Sequence, residues 1–170
     1  TKVMGRGELD GLIINTTGVA LCDRAVSDAG LTPGDRLILS GTVGDHGMAV
    51  MAARHKLALD GDLRSDVAPI NGLVRAALAA GGAGVVAMKD PTRGGLSSAL
   101  HEMADKSRVG IMVEELAVPV RAEVRAAADL LGIDPLMIAN EGKAVFGVKA
   151  AVADAVLAAL QAHPLGREAA

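Results

Sequence analysis

The sequence predicts an α/β (α+β) fold in which helices cover a sheet. Three observations carry that prediction. Short β-branched runs bounded by glycine alternate with longer alanine- and leucine-rich stretches, the pattern of strands interleaved with helices. Hydrophobic residues make up 51% of the 170 residues, enough for a packed core and too many for a disordered chain. Glycine, present 21 times, recurs at the joins between these stretches, where the chain must turn.

The elements follow in order. Leu9–Thr17 (LDGLIINTT) is apolar and β-branched and reads as a strand, with Gly18–Leu21 extending it past a bulge. Ser27–Gly34 (SDAGLTPG) is turn-rich and marks a boundary between residues 1–34 and 35–170. Arg36–Val43 (RLILSGTV) reads as a buried strand, and Gly44–Gly47 then opens a helix to about Leu59 with Asp45 as its N-cap. After a loop at Leu63–Pro69, the sequence predicts a helix over Ile70–Ala80 stopped by Gly81-Gly82, and a short strand over Gly84–Met88. A loop at Asp90–Gly95 leads into a helix over Leu96–Lys106, followed by a strand over Val109–Glu114 and a turn at Pro119. A helix over Arg121–Leu131, a strand over Ala144–Val148 and a last helix over Ala151–His163, ended by Pro164, complete the chain.

Composition narrows the function. Lys and Arg total 17 against 20 Asp and Glu, for a formal charge of -3, whereas binding a nucleic-acid backbone needs clustered positive charge. Phe146 is the single aromatic residue, so bases have no platform to stack on. No nucleic-acid partner is expected. The longest nearly uncharged apolar stretch, Ala76–Met88, is too short to span a bilayer, and no signal peptide opens the chain; no membrane role is expected. A single cysteine, Cys22, cannot close an internal disulfide and fits a reducing cytoplasm. At the end of an apolar run it reads as a buried, inert thiol.

Three glycine-containing loops hold the groups suited to chemistry: Gly41–Gly47 (GTVGDHG), Asp90–Gly95 (DPTRGG) and Asn140–Lys143 (NEGK). Glycine before a helix lets backbone N–H groups approach an anion at the positive end of the helix dipole, and Arg93 can add a bidentate contact to phosphate or carboxylate. None is a Walker A or dinucleotide fingerprint. Each residue also has a plain structural reading. His46 can cap its helix, Asp90 can form an ordinary Asp-Pro turn, and Glu141 can pair with Lys143 on the surface. Met48, Met51 and Met103 at helical spacing fill the core. The histidines lack metal-ligand spacing, so no metal site is predicted in this chain.

The motifs TKV (1–3), INTTG (14–18), SGTVGDHG (40–47), SDVAP (65–69), KDPTRGGL (89–96), LGIDPL (131–136), ANEGK (139–143) and HPLG (163–166) occur in this order. Together they resemble the HypE family of hydrogenase expression/formation proteins, within the aminoimidazole ribonucleotide synthetase-like superfamily. The resemblance covers essentially the whole chain. Val67 and Lys89 stand where the family is expected to carry Cys and Arg.

The resemblance implies an ATP-dependent carbamoyl dehydratase serving nickel–iron hydrogenase maturation. In that family the carbamoyltransferase HypF loads a carbamoyl group on a C-terminal cysteine. ATP-driven dehydration then makes a thiocyanate, and the cyanide passes through a HypC–HypD complex to the active-site iron. It further implies Glu141 as base and Lys2 as the charge that orients the carboxamide. Asp90, Thr92, Arg93, Gly94 and Gly95 would hold the phosphates of ATP with its Mg2+, and Asp45, His46 and Asn140 would assist. Residues 1–34 would be the last strand and linker of an N-terminal ATP-binding domain, and 35–170 the C-terminal α/β domain. The full-length protein would be a homodimer. The chain reads as a fragment lacking most of the N-terminal domain and the cysteine tail, inactive alone. Two other readings stay open from the residues: another ATP-using superfamily member such as a selenophosphate synthetase-like kinase, or a non-catalytic docking domain for maturation partners.

Overall fold

A computed structural model of the chain describes residues 14, 16–55 and 63–170. The expected first strand falls mainly on residues outside this set, as does the expected end of the helix at Leu59. The described Ile14, Thr16 and Thr17 belong to no regular element, nor do residues 18–21, where Val19 and Leu21 stand in solvent. No strand extension forms there, because nothing among the described residues covers those side chains. Cys22 is likewise exposed, which corrects its reading as a buried thiol.

Among the described residues the strands are β1 (Arg36–Leu39), β2 (Val85–Lys89) and β3 (Val145–Val148), and the helices are α1 (Asp45–His55), α2 (Asn71–Gly81), α3 (Gly95–Ser107), α4 (Ala122–Leu131) and α5 (Ala153–Gln161). The sheet order is β1-β3-β2, with β3 antiparallel to both neighbours. Alternation along β3 divides the core. Phe146 and Val148 face one side with Ile38 and Val85, packed under Leu73 and Ala77 of α2 and Val156 and Leu160 of α5. Val145 faces the other side with Leu39 and Ala87, under Leu96, Leu100 and Met103 of α3. Gly147 points that way too; a Cβ there would lie 2.3 Å from Leu31 Cδ2, so this face has no room for a side chain in mid-strand. The register of β2 against β3 shifts by a bulge between Val85 and Ala87. Beside this sandwich, Met48 of α1 packs on Ala127 and Ala128 of α4 and on Ile138. No helix among the described residues is long and apolar enough to cross a membrane.

The structure departs from the sequence reading at several places. Residues 109–114 form no strand. Val109 and Ile111 do alternate inward against the α3 side of the core, and Met112 points out, but no described strand offers them a ladder. Their first backbone donor is spent instead on helix α3, whose end is capped by Val109 N–H on the Ala104 carbonyl at 3.1 Å. β1 stops at Leu39, because Val43 N–H turns away to the Pro119 carbonyl at 3.0 Å. Asp45 is not an N-cap: it is the first residue of α1, and its carboxylate accepts from the Thr42 hydroxyl.

Topology positions the loops. Leu39, Lys89 and Val145 are level in the sheet. Because β3 runs against its neighbours, the chain leaving β1 and β2 and the chain entering β3 emerge at the same sheet end. The loops after Leu39, after Lys89 and before Val145 are the three singled out from the sequence.

Candidate functional site

Asn140 knits those loops together. Its side chain is fully buried; the amide oxygen accepts from Gly44 N–H at 2.8 Å, and the amide nitrogen donates to the carbonyls of Pro91 at 3.0 Å and Ile138 at 3.1 Å. Its backbone N–H also reaches Pro91 O at 3.1 Å. The amide donors assigned to phosphate are thus both committed within the protein, which makes Asn140 the joint of the site rather than a ligand.

Around this joint the structure gathers His46, Glu141 and Ser65–Asp66 of the SDVAP motif, to which the sequence reading gave no site role. His46 Nδ1 lies 2.9 Å from Ser65 Oγ, and its Nε2 lies 3.8 Å from Glu141 Oε1. Glu141 N–H donates to Asp66 Oδ1 at 3.1 Å, and Lys143 Nζ stands 3.3 Å from Asp66 Oδ2. Glu141 and Lys143 therefore do not pair on the surface: Glu141 keeps a half-exposed carboxylate beside His46, whereas Lys143 is buried against Asp66. Gly142 makes this contact possible, since a Cβ there would sit 2.0 Å from the Asp66 carbonyl. Nor does His46 cap its helix; its ring bridges to Ser65.

Next to this group opens a cavity of about 430 Å³, lined by Thr42, Asp45, Asp66, Arg121 and Lys143 among others. Asp45, buried at its floor, is approached by Arg121 Nε at 3.4 Å. Asp45 thus holds Thr42 and Arg121, and the same cavity is also lined by Arg64, Lys143 and Arg167.

Asp90, Thr92 and Arg93 line a different cavity of about 380 Å³ with Lys89, Ser98 and Glu102. Its hydroxyls and guanidinium suit phosphate oxygens. Lys89 is drawn to Glu102 at 3.0 Å and Asp28 at 3.7 Å. Glu102 is held below the usual carboxylate range chiefly by its hydrogen bond to Lys89. Gly94 and Gly95 both have positive φ, 73° and 66°, but the space they leave is filled by protein. A Cβ on Gly94 would meet Ser98 Oγ at 2.1 Å, and one on Gly95 the carbonyls of Leu136 and Ile138 at 2.5 and 2.6 Å. Their role on this geometry is to start α3 hard against residues 136–138. Among the described residues no three His, Cys, Asp or Glu side chains cluster together. Lys2 lies outside the described residues.

The family model of the AIR synthase related protein, C-terminal domain, matches residues 32–170, the span that holds this sheet, its helices and the converging loops. The chain belongs to that family. Within it, the HypE resemblance holds over the whole chain: it is 51% identical over 173 residues to "Carbamoyl dehydratase HypE" of Rhizobium leguminosarum bv. viciae, covering 100% of this chain and 49% of that protein. A crystal structure of hydrogenase maturation protein HypE in complex with ATP superimposes with a TM-score of 0.83 at 41% identity, covering 88% of this chain and 44% of that one. A HypE–HypF complex structure gives 0.82 at 43% identity, covering 85% and 47%. The chain spans about half the length of the curated relatives it matches.

Proposed function

We propose that this chain forms the C-terminal α/β domain of an ATP-dependent carbamoyl dehydratase acting in nickel–iron hydrogenase maturation, with residues 1–34 leading in from an ATP-binding domain. Glu141 carries the reading: it is an accessible carboxylate on a loop whose backbone is pinned at Asn140, Asp66 and Gly142, with His46 alongside. A base must be held at the reacting atom, and a pinned loop does that.

The chemistry needs such a base. An S-carbamoyl group on cysteine becomes a thiocyanate by losing its oxygen and both nitrogen-bound protons. ATP supplies the activation: its γ-phosphoryl goes to the carboxamide oxygen, which departs as phosphate, leaving ADP. Glu141 accepts one proton from the carboxamide nitrogen as the C–N bond order rises, and the second leaves on the departing phosphate. Lys2 orients the carboxamide through its positive charge. The Asp90–Gly95 loop, through Thr92 and Arg93, would contact phosphate oxygens, and Asp90 would be this chain's contribution to holding the Mg2+ that accompanies ATP. HypF is the carbamoyl donor's enzyme in this reading; the HypE–HypF complex of a relative supports the partnership, and the donor role rests on the family resemblance. A HypC–HypD acceptor, a homodimeric full-length protein and a cytoplasmic setting complete the proposal; they rest on the family resemblance.

The test uses the full-length protein. Glu141→Gln keeps shape but cannot accept a proton. It should take up the carbamoyl group from HypF, yet dehydrate it more slowly by roughly 10²–10⁴-fold on adding ATP. Mass spectrometry of the cysteine-bearing peptide reads the loss of water directly. Water loss at the wild-type rate in the variant removes Glu141 from the reaction.

A further inference from the structure

Lys143 is a buried ammonium whose surroundings are unfinished. Its side chain is 11% exposed and that of Asp66 only 4%. The two charged groups are 3.3 Å apart, yet Asp66 Oδ2 has no hydrogen-bond partner. A buried ion pair offsets the cost of leaving water only when good geometry and further hydrogen bonds complete it. This pair is not completed within the described residues, and both members line the 430 Å³ cavity. Its position is nevertheless well fixed. Asp66 Oδ1 is tied to Glu141 N–H, and Gly41 leaves space for the lysine stem, since a Cβ there would stand 3.1 Å from Lys143 Cε. An ammonium carries three donors; Asp66 is its ion-pair partner among the described residues, and the cavity lies beside it.

We propose that Lys143 is a further substrate-contacting residue of this site, donating to the carboxamide oxygen as negative charge builds on it, and that Asp66 is the positioning residue that holds both Lys143 and the Glu141 backbone. The inference rests on the dehydratase reading above. One carboxylate thereby sets the spacing between the group that takes the proton from nitrogen and the group that polarises oxygen. No bond to Lys143 forms: its ammonium keeps its protons, and the oxygen leaves on phosphate. A fixed donor aimed at developing charge contributes without reorganising during the reaction.

The test compares full-length wild type, Lys143→Met, Lys143→Ala and Asp66→Asn, each carbamoylated by HypF and then mixed with ATP. Both Lys143 variants should accept the carbamoyl group normally and show an unchanged KM for ATP, with kcat for water loss down by about 10²-fold. Adding ethylamine, whose ammonium fits the space left by truncation, should recover part of the rate in Lys143→Ala and none in Lys143→Met. Asp66→Asn should lower kcat similarly without rescue by the amine. Folded Lys143→Met that dehydrates at the wild-type rate overturns the assignment, as does a loss expressed only in KM or an absence of rescue. Should either Lys143 variant fail to fold, Asp66→Asn decides by the same kcat and KM criteria. Wild-type protein that loses no water with ATP sinks the dehydratase reading itself, and this assignment with it.

Discussion

At Asn140 one side chain decides whether the site exists. Its amide meets Gly44 N–H and the Pro91 and Ile138 carbonyls in a fully buried setting. Asn140→Ala orphans these groups, and each buried group left unpaired costs about 1–3 kcal/mol. We expect a loss of roughly 2–4 kcal/mol in urea unfolding of the chain, and in the full-length protein a fall in activity with it. Gly95→Ala makes a sharper point about glycine. A Cβ at φ 66°, 2.5 Å from the Leu136 carbonyl, should destabilise by about 2–4 kcal/mol, so its effect on activity will arrive together with unfolding. The sequence made both loops visible through their glycines, and Glu141 and His46 through motif resemblance. Asp66 was seen inside the SDVAP motif but given no role, because it meets Glu141 across 75 positions of chain, a meeting the motif itself does not mark. Asn140 was seen but given the wrong partner type, since a buried amide and a ligand-facing one look alike in sequence.

Among the elements, the helices were legible because their apolar period is long and their ends carry Gly or Pro. Gly81-Gly82 closes α2, Gly132 closes α4 with φ 65°, and Pro164 follows α5. The strands were legible where both faces are covered, as in Val145–Val148. Residues 109–114 show the limit: period-two alternation reports half-burial, not a ladder, and here the burial comes from lying along α3. The turn that leads into β1 gives a testable electrostatic contribution. Burial alone would raise the Asp35 carboxyl, but hydrogen bonds from Lys149 at 2.9 Å and from the Thr32 N–H and hydroxyl outweigh it and hold it below the usual value. A carboxyl lowered by folding stabilises above its unfolded value, roughly 3.9, and that contribution vanishes as pH falls through the lowered folded value. Lys149 is 43% exposed, so water screens much of the pair. Lys149→Met should therefore cost only about 0.5–1 kcal/mol near neutral pH, and nothing once Asp35 is protonated in both states. Chemical denaturation of both proteins from pH 7 down to pH 2 measures this; a difference that stays constant with pH assigns the Lys149 effect to its aliphatic stem instead. Asp28, held low chiefly by its hydrogen bond to Lys106, adds a contribution of the same sign.

For the molecule as a whole, the sheet is small, with strands of four and five residues, and ladder hydrogen bonds alone cannot hold it. It stands because β3 is buried on both faces and in the middle of the order, so that the α2/α5 layer and the α3 layer grip the same four residues. Phe146, fully buried and the single aromatic in the chain, is the largest side chain in that grip. The same strand starts two residues after Lys143, which couples the core to the site. Phe146→Ala should remove about 3–5 kcal/mol, a large share of the roughly 5–15 kcal/mol that a domain of this kind has. Phe146→Leu, which keeps most of the volume, should cost nearer 1–1.5 kcal/mol. The two variants separate packing from mere hydrophobicity, and their effect on the loops tests the coupling. If β3 is the common support, hydrogen exchange in Phe146→Leu will quicken together in β1, β2 and the backbone amide of Glu141, while α4, which packs on α1 and Ile138 instead, changes least. Faster exchange confined to α2 and α5 would show that the two layers open independently and that the site is carried by α3 and the Asn140 joint alone.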